Sequence, residues 1–246
     1  MTYDITGKTV LVTGANRGIG KVLVESFIAN GAAKVYAAVR KIDSVAALVE
    51  QYGDKVVPIR LDLLDAPLIQ SAAQTARDVQ IVVSNAGAFQ AMTPLEEGAI
   101  ASLDTLMNVN VYGLIRLARA FSPILKANGG GVFAQLNSVV SMKTFSDFTT
   151  YSASKAAAYS VTQALREQLA EQGTRVLSIH PGPIDTDMGD DAGFVEAASP
   201  TLVAEALFKA LDSSEFHVFP DAMAQQIGSA YQSFASNIVE ASMSES

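Results

Sequence analysis

Short apolar runs alternate with longer amphipathic ones along this chain. The runs Lys8–Thr13 (KTVLVT), Lys34–Val39 (KVYAAV), Lys55–Arg60 (KVVPIR), Gln80–Asn85 (QIVVSN), Gly131–Ser138 (GVFAQLNS) and Thr174–His180 (TRVLSIH) are rich in β-branched residues. They predict buried strands. Helices are predicted between them, over about Ile19–Asn30, Val45–Tyr52, Ala66–Ala76, Ala99–Asn128 and Thr150–Gln172. A seventh strand is expected at Phe216–Pro220, and a last helix over much of Ala222–Ala241. Strict strand–helix alternation predicts an α/β fold, a parallel sheet covered by helices on both faces. No repeat or low-complexity linker divides the chain, so residues 1–246 read as one domain. The Gly- and Pro-rich stretch from His180 to Phe194 reads as a loop. It follows the C-terminal end of a strand, the edge where open α/β sheets bind ligands.

Two local patterns carry chemistry. The first strand runs into TGANRGIG, Thr13–Gly20, and a helix follows. Gly14, Gly18 and Gly20 permit a tight turn and let a phosphate approach the backbone. The helix N-terminus that follows offers free N–H groups and a positive dipole end. The second pattern is Tyr151 and Lys155 in TTYSASKAAAYS. Residues four apart share a helix face. A cation beside a phenol favours the phenolate, and a tuned Tyr can serve as general acid or base. Alone, the pair is also compatible with an ordinary Tyr and a solvated Lys.

Taken together, TGANRGIG, SNAG (Ser84–Gly87), NVNVYG (Asn108–Gly113), Ser138, YSASK (Tyr151–Lys155) and PGPIDT (Pro181–Thr186) resemble the short-chain dehydrogenase/reductase family in order and spacing, over about residues 7–190. The resemblance implies a Rossmann-type doubly wound sheet of about seven parallel strands, and NAD(P)-dependent oxidoreduction of alcohols and carbonyls. It implies Tyr151 as proton donor to the carbonyl oxygen, and Lys155 as the charge that lowers the Tyr pKa and binds the nicotinamide ribose. It implies Ser138 as a hydrogen-bond donor to the substrate oxygen. Asn110 would fix a water in a proton relay. Asn108 competes for the Asn110 role and Ser141 for that of Ser138; spacing favours Asn110 and Ser138. His180 reads as a strand-end residue.

For the cofactor, the resemblance places Gly14, Asn16, Gly18, Ile19 and Gly20 of the glycine turn as cofactor-binding, with Arg17 facing the ribose 2′ pocket. Asp62 would meet the adenine amino group, or serve as a helix N-cap. Asn85, Ala86 and Gly87 would stand beside the adenosine ribose, and Pro181, Gly182, Ile184 and Thr186 on the carboxamide side of nicotinamide. The second strand ends in Arg40, where a NAD site usually carries a carboxylate. Arg17 and Arg40 suit a 2′-phosphate, or are solvated surface groups. Asp43 lies too late and reads as an N-cap. The expected cofactor is therefore NADP(H). No metal ligand set is assigned.

Composition narrows the partners. A net charge of −8 opposes nucleic-acid binding. No apolar run reaches the roughly 20 residues of a membrane span, and no signal peptide is read. The chain has no Cys, which suits the cytoplasm. The expected partner is a small carbonyl or alcohol substrate. Met188–Pro200 is expected to be a short, permissive lid, with Phe145, Phe148 and Phe194 lining the site. Many relatives end in a Gly-rich element that helps build a tetramer; here the sequence reads HVFPDAMAQQIGSAYQSF. A homodimer through the long helices is expected, with Ala153, Ala156 and Ala157 permitting close approach. A 3-oxoacyl thioester reductase would need a basic patch, which this acidic chain lacks near the motifs. A non-catalytic NADP(H) sensor would have no need of Ser138, Tyr151 and Lys155.

Overall fold

The computed structural model describes residues 3–194, 196–213 and 215–241. Seven parallel strands form one sheet in the order β3-β2-β1-β4-β5-β6-β7. They are β1 (Thr9–Thr13), β2 (Lys34–Val39), β3 (Val56–Arg60), β4 (Ile81–Ser84), β5 (Gly131–Leu136), β6 (Thr174–Ile179) and β7 (His217–Val218). The helices are α1 (Gly18–Ala29), α2 (Ala46–Tyr52), α3 (Ala66–Thr75), α4 (Ala99–Leu106), α5 (Gly113–Ala127), α6 (Thr149–Ala170), α7 (Asp187–Asp191), α8 (Thr201–Asp212) and α9 (Ala222–Phe234).

Successive side chains of a strand point to opposite faces, and the core follows that period. Val10 and Val12 join one apolar layer with Leu23, Phe27, Leu207 and Leu211. Leu11 joins the other, with Ile69, Leu117, Phe121 and Phe133. Each layer is sealed by helices, which is why the strands are apolar on both faces. The strand order reverses between β1 and β4, so a crevice opens there at the C-terminal edge.

Several expected boundaries differ. The expected helix Ala99–Asn128 is broken by a π-helical segment, Met107–Tyr112, between α4 and α5. Asn108 and Asn110 compete locally with helical hydrogen bonding, and both side chains are engaged elsewhere. The last helix ends at Phe234 and passes into a second π segment, Ala235–Val239. Strand β5 stops at Leu136, so Ser138 starts a 3₁₀ turn, Val139–Ser141. Helices α7 and α8 were not expected. Asp43 is not an N-cap: it lies inside a 3₁₀ turn, Ile42–Val45, whose N-cap is Lys41. Nor does Asp62 cap a helix. Its Oδ1 accepts from the Leu64 N–H at 3.0 Å, while Asp65 caps α3.

Candidate active site

Elements that end at the same sheet edge build the site. Tyr151 and Lys155 lie in the first two turns of α6, which packs on the 3₁₀ turn after β5 and on the π segment. Lys155 is buried, its Nζ 5.8 Å from the Tyr151 ring centroid. That ammonium donates to the Leu136 carbonyl at 2.8 Å, the last residue of β5. Burial lowers the Lys155 pKa to about 8. Burial also raises the Tyr151 phenol well above the ordinary range, and the Ser138 hydroxyl offsets part of that rise. The net shift of the phenol is therefore upward, opposite in sign to the lowering expected beside Lys155: desolvation outweighs it. Lys155 is buried and Tyr151 is half-buried against Phe89. The phenol holds its proton at neutral pH.

Ser138 is buried and donates to the Pro181 carbonyl at 3.3 Å. Ser141 turns to His180 Nδ1, 2.9 Å away, while the Ser138 hydroxyl is the one beside the Tyr151 phenol. The two asparagines separate as well. Asn108 Oδ1 accepts from Arg116 at 3.0 Å. Asn110 Oδ1 accepts from Ala88 N–H at 2.8 Å, and its Nδ2 donates to Ala88 O and to Ser154 Oγ. A Cβ on Gly87 would stand 3.1 Å from Asn110 Oδ1 and 3.7 Å from Lys155 Nζ. Asn110, Gly87 and Lys155 therefore converge. His180 is fully buried and lies between Ser141 and Ser178. Burial drops its pKa to about 3, leaving it neutral.

The glycine turn sits at the crevice between β1 and β4. Gly14 and Gly18 adopt φ +67° and +50°, the left-handed region that favours glycine. A Cβ on Gly20 would meet the Gly14 carbonyl at 2.1 Å, which forces glycine there. No side chain caps the first turn of α1, leaving Gly18, Ile19 and Gly20 at an uncapped helix N-terminus. An orphaned helix start with glycines packed below it fits a pyrophosphate. Asn85 Nδ2 donates to the Thr13 carbonyl at 2.8 Å, and the Asn85 and Ala86 N–H groups donate to Thr13 Oγ1 at 2.9 Å. Asn85 and Ala86 thus join the ends of β1 and β4, and Gly87 beyond them is exposed.

Asn16 and Arg40 are exposed at the rim, and Asp62 is half-buried. Arg17 is held at 2.5 Å by Asp187, at the start of α7, a partner the sequence did not suggest. Pro181 is buried. Gly182 N–H donates to Asp221 Oδ2 at 2.7 Å. Ile184 is buried in the core beside β6, and Thr186 Oγ1 caps α7 by accepting from Gly189 N–H. Thr186 Cγ2 would lie 2.9 Å from a Cβ on Gly18, so the glycine turn and the loop after β6 face each other. Phe89 and Asp221 were missed by sequence reasoning. Phe89 packs edge-on against Tyr151, with ring centroids 5.1 Å apart.

The profile of the short chain dehydrogenase family matches residues 8–194. The chain belongs to this family. An uncharacterized oxidoreductase of Staphylococcus saprophyticus is 29% identical over 218 residues, 85% of this chain and 92% of that protein. A short chain dehydrogenase from Burkholderia cenocepacia J2315, solved in complex with NADP, is 33% identical. It superposes with a TM-score of 0.87 over 96% of this chain and 99% of that one. A 7α-hydroxysteroid dehydrogenase complexed with NADH and 7-oxo glycochenodeoxycholic acid is 25% identical, with a TM-score of 0.78 over 85% of this chain and 88% of that chain. Family membership makes the chain an oxidoreductase with the doubly wound nicotinamide-binding fold. Among the described residues, no helix is long and apolar enough to cross a membrane.

Proposed function

We propose that the chain is an NADPH-dependent oxidoreductase that interconverts a ketone or aldehyde and its alcohol. One observation carries this reading: Ser138, Tyr151 and Lys155 converge at the sheet edge from which the uncapped start of α1 also rises. When bound, NADPH supplies the hydride. Gly14, Asn16, Gly18, Ile19 and Gly20 hold the pyrophosphate. Asp62, Asn85, Ala86 and Gly87 line the adenosine half, and Pro181, Gly182, Ile184 and Thr186 the nicotinamide half. Arg17 and Arg40 take the 2′-phosphate, which sets the preference for NADPH.

In the reducing direction, Tyr151 gives its proton to the carbonyl oxygen as that oxygen gains charge. Ser138 hydrogen-bonds the same oxygen. The Lys155 ammonium stabilises the phenolate left behind. In the oxidising direction, Tyr151 takes the proton back. The Asn110 amide is saturated by Ala88 and Ser154. Its side chain therefore positions Ala88, and Asn110 would fix the relay water that links Lys155 to solvent. A single domain over 1–246, a cytoplasmic setting and a homodimer complete the reading. The dimer is supported by the exposed Tyr112 and Ile115 on α5 and the exposed Ala153 and Ala156 on α6.

Steady-state oxidation of NADPH, beside NADH, over a panel of ketones, aldehydes and 3-oxo esters tests the reading. It predicts carbonyl turnover with NADPH at least tenfold more efficient in kcat/KM than with NADH, about 1.4 kcal/mol. Equal efficiency with both cofactors would remove the role given to Arg17 and Arg40.

A further inference from the structure

The substrate side of Tyr151 is defined by aromatic rings. Phe89 lies two residues beyond Gly87, on the segment that Asn110 grips, and meets Tyr151 edge-on at 77°. Phe148, just before α6, packs against Phe89 with centroids 5.5 Å apart. Phe194, after α7, meets Phe148 edge-on at 6.0 Å. Four rings from three separate chain segments thus form a row that starts at the proton-donating phenol. A row built only for core packing would be buried along its length. This one opens outward: Phe89 and Phe148 are half-buried, and Phe194 is 37% exposed.

The charged residues that flank the row in sequence are mostly negative. Asp147 adjoins Phe148, and Asp190 and Asp191 precede Phe194; all three are exposed. The nearby cation, Lys143, donates to the Thr144 carbonyl and lies 5.5 Å from the Phe145 ring. An anionic substrate would therefore meet like charge at the mouth. A neutral flat ring would find edge and face partners in Phe148 and Phe194, each such contact worth roughly two- to tenfold in affinity beyond its buried area.

We propose that the aromatic row Phe89–Phe148–Phe194 makes this site selective for neutral aryl carbonyl compounds. The aryl ring lies along Phe148 and Phe194, and the carbonyl oxygen meets Tyr151 and Ser138. The inference rests on the carbonyl-reductase reading above and deepens it. Atoms balance as in that reaction: the cofactor's hydride goes to the carbonyl carbon, the Tyr151 proton goes to oxygen, and an aryl carbinol leaves.

The test compares acetophenone with cyclohexyl methyl ketone, a flat ring against a puckered one of similar size, on the full chain with NADPH. Phe194→Leu and Phe148→Leu are run beside the wild type, with thermal melting to confirm folding. The conjugated ketone is intrinsically the less reactive, so the informative quantity is the change in the kcat/KM ratio on substitution. The ratio is expected to fall about five- to tenfold toward the cyclohexyl ketone in Phe194→Leu. 4-Acetylbenzoate, the anionic analogue, is expected to be at least tenfold poorer than acetophenone in the wild type. A ratio unchanged in both variants, or 4-acetylbenzoate equal to acetophenone, overturns the inference while leaving the carbonyl-reductase reading intact. If no carbonyl turned over with either cofactor, that reading would fail. Calorimetric binding of acetophenone then decides: binding weakened by Phe194→Leu supports the aromatic row, and binding absent or unchanged overturns it.

Discussion

Lys155 shows how one buried side chain sets a pH response. Burial places its pKa at about 8, so the ammonium is present below that value and lost above it. The proposed reduction uses that charge to stabilise the Tyr151 phenolate. The kcat/KM for NADPH-driven reduction is therefore expected to be flat from pH 6 to 7.5 and to fall above about 8. A pH–rate profile checks this, and a rise through pH 8 to 10 would contradict it. Asp187 gives a second prediction at this scale. It holds Arg17, the guanidinium assigned to the 2′-phosphate. Exposed ion pairs are worth about 0–1 kcal/mol. Asp187→Asn should therefore tighten NADPH binding up to about fivefold and leave NADH binding within twofold, as read by calorimetry. Tyr151, Lys155, Ser138 and the glycines were legible as candidates in the sequence, because their residue types and spacing form a pattern that points to one chemistry. Phe89 was not, since a Phe in a loop carries no pattern until its neighbours in space are known.

At the scale of elements, Asp221 joins two parts of the site. Its Oδ1 caps α9 by accepting from Ala224 N–H at 3.0 Å, and its Oδ2 accepts from Gly182 N–H at 2.7 Å. The loop after β6 is thereby fixed to the start of α9. A lost N-cap costs about 1 kcal/mol, and an orphaned N–H on Gly182 adds about 1–3 kcal/mol. Asp221→Ala should lower stability by about 2–4 kcal/mol in denaturant unfolding; no change would mean that water replaces both bonds. The central strands were legible because they are apolar on both faces. Helix α8 was legible in principle: Val203, Ala204, Leu207, Ala210 and Leu211 recur at helical spacing. The Gly- and Pro-rich loop that precedes it masks its start. The π segment at Met107–Tyr112 was not legible, because it depends on Asn110 reaching Ala88 across the fold.

For the whole molecule, stability and assembly follow from what is buried. His180 is neutral in the fold, with a pKa near 3 against 6.5 when unfolded. Between those values the unfolded chain binds the extra proton, so stability falls as pH drops from about 6.5 toward 3. This one group contributes up to about 1.4 kcal/mol per pH unit in that window. His180→Asn should flatten the acid limb of the stability curve, measured by denaturant unfolding at several pH values; an unchanged limb would assign acid sensitivity to the carboxylates. Light scattering at micromolar concentration should return twice the chain mass, whereas a monomer would remove the dimer. The parallel order of the sheet was readable from strand–helix alternation. The meeting of the glycine turn with Thr186, far apart in sequence, emerges only when the sheet brings β1 and β6 to one edge.

The central claim is that Tyr151 is the proton donor of a nicotinamide-dependent carbonyl reduction. The most direct measurement is Tyr151→Phe, with NADPH affinity and turnover determined on the same preparation. General acid catalysis is worth about 10²–10⁴-fold. Turnover should fall by that factor while the Kd for NADPH stays within about threefold. A variant that keeps more than a tenth of wild-type turnover would contradict the assignment.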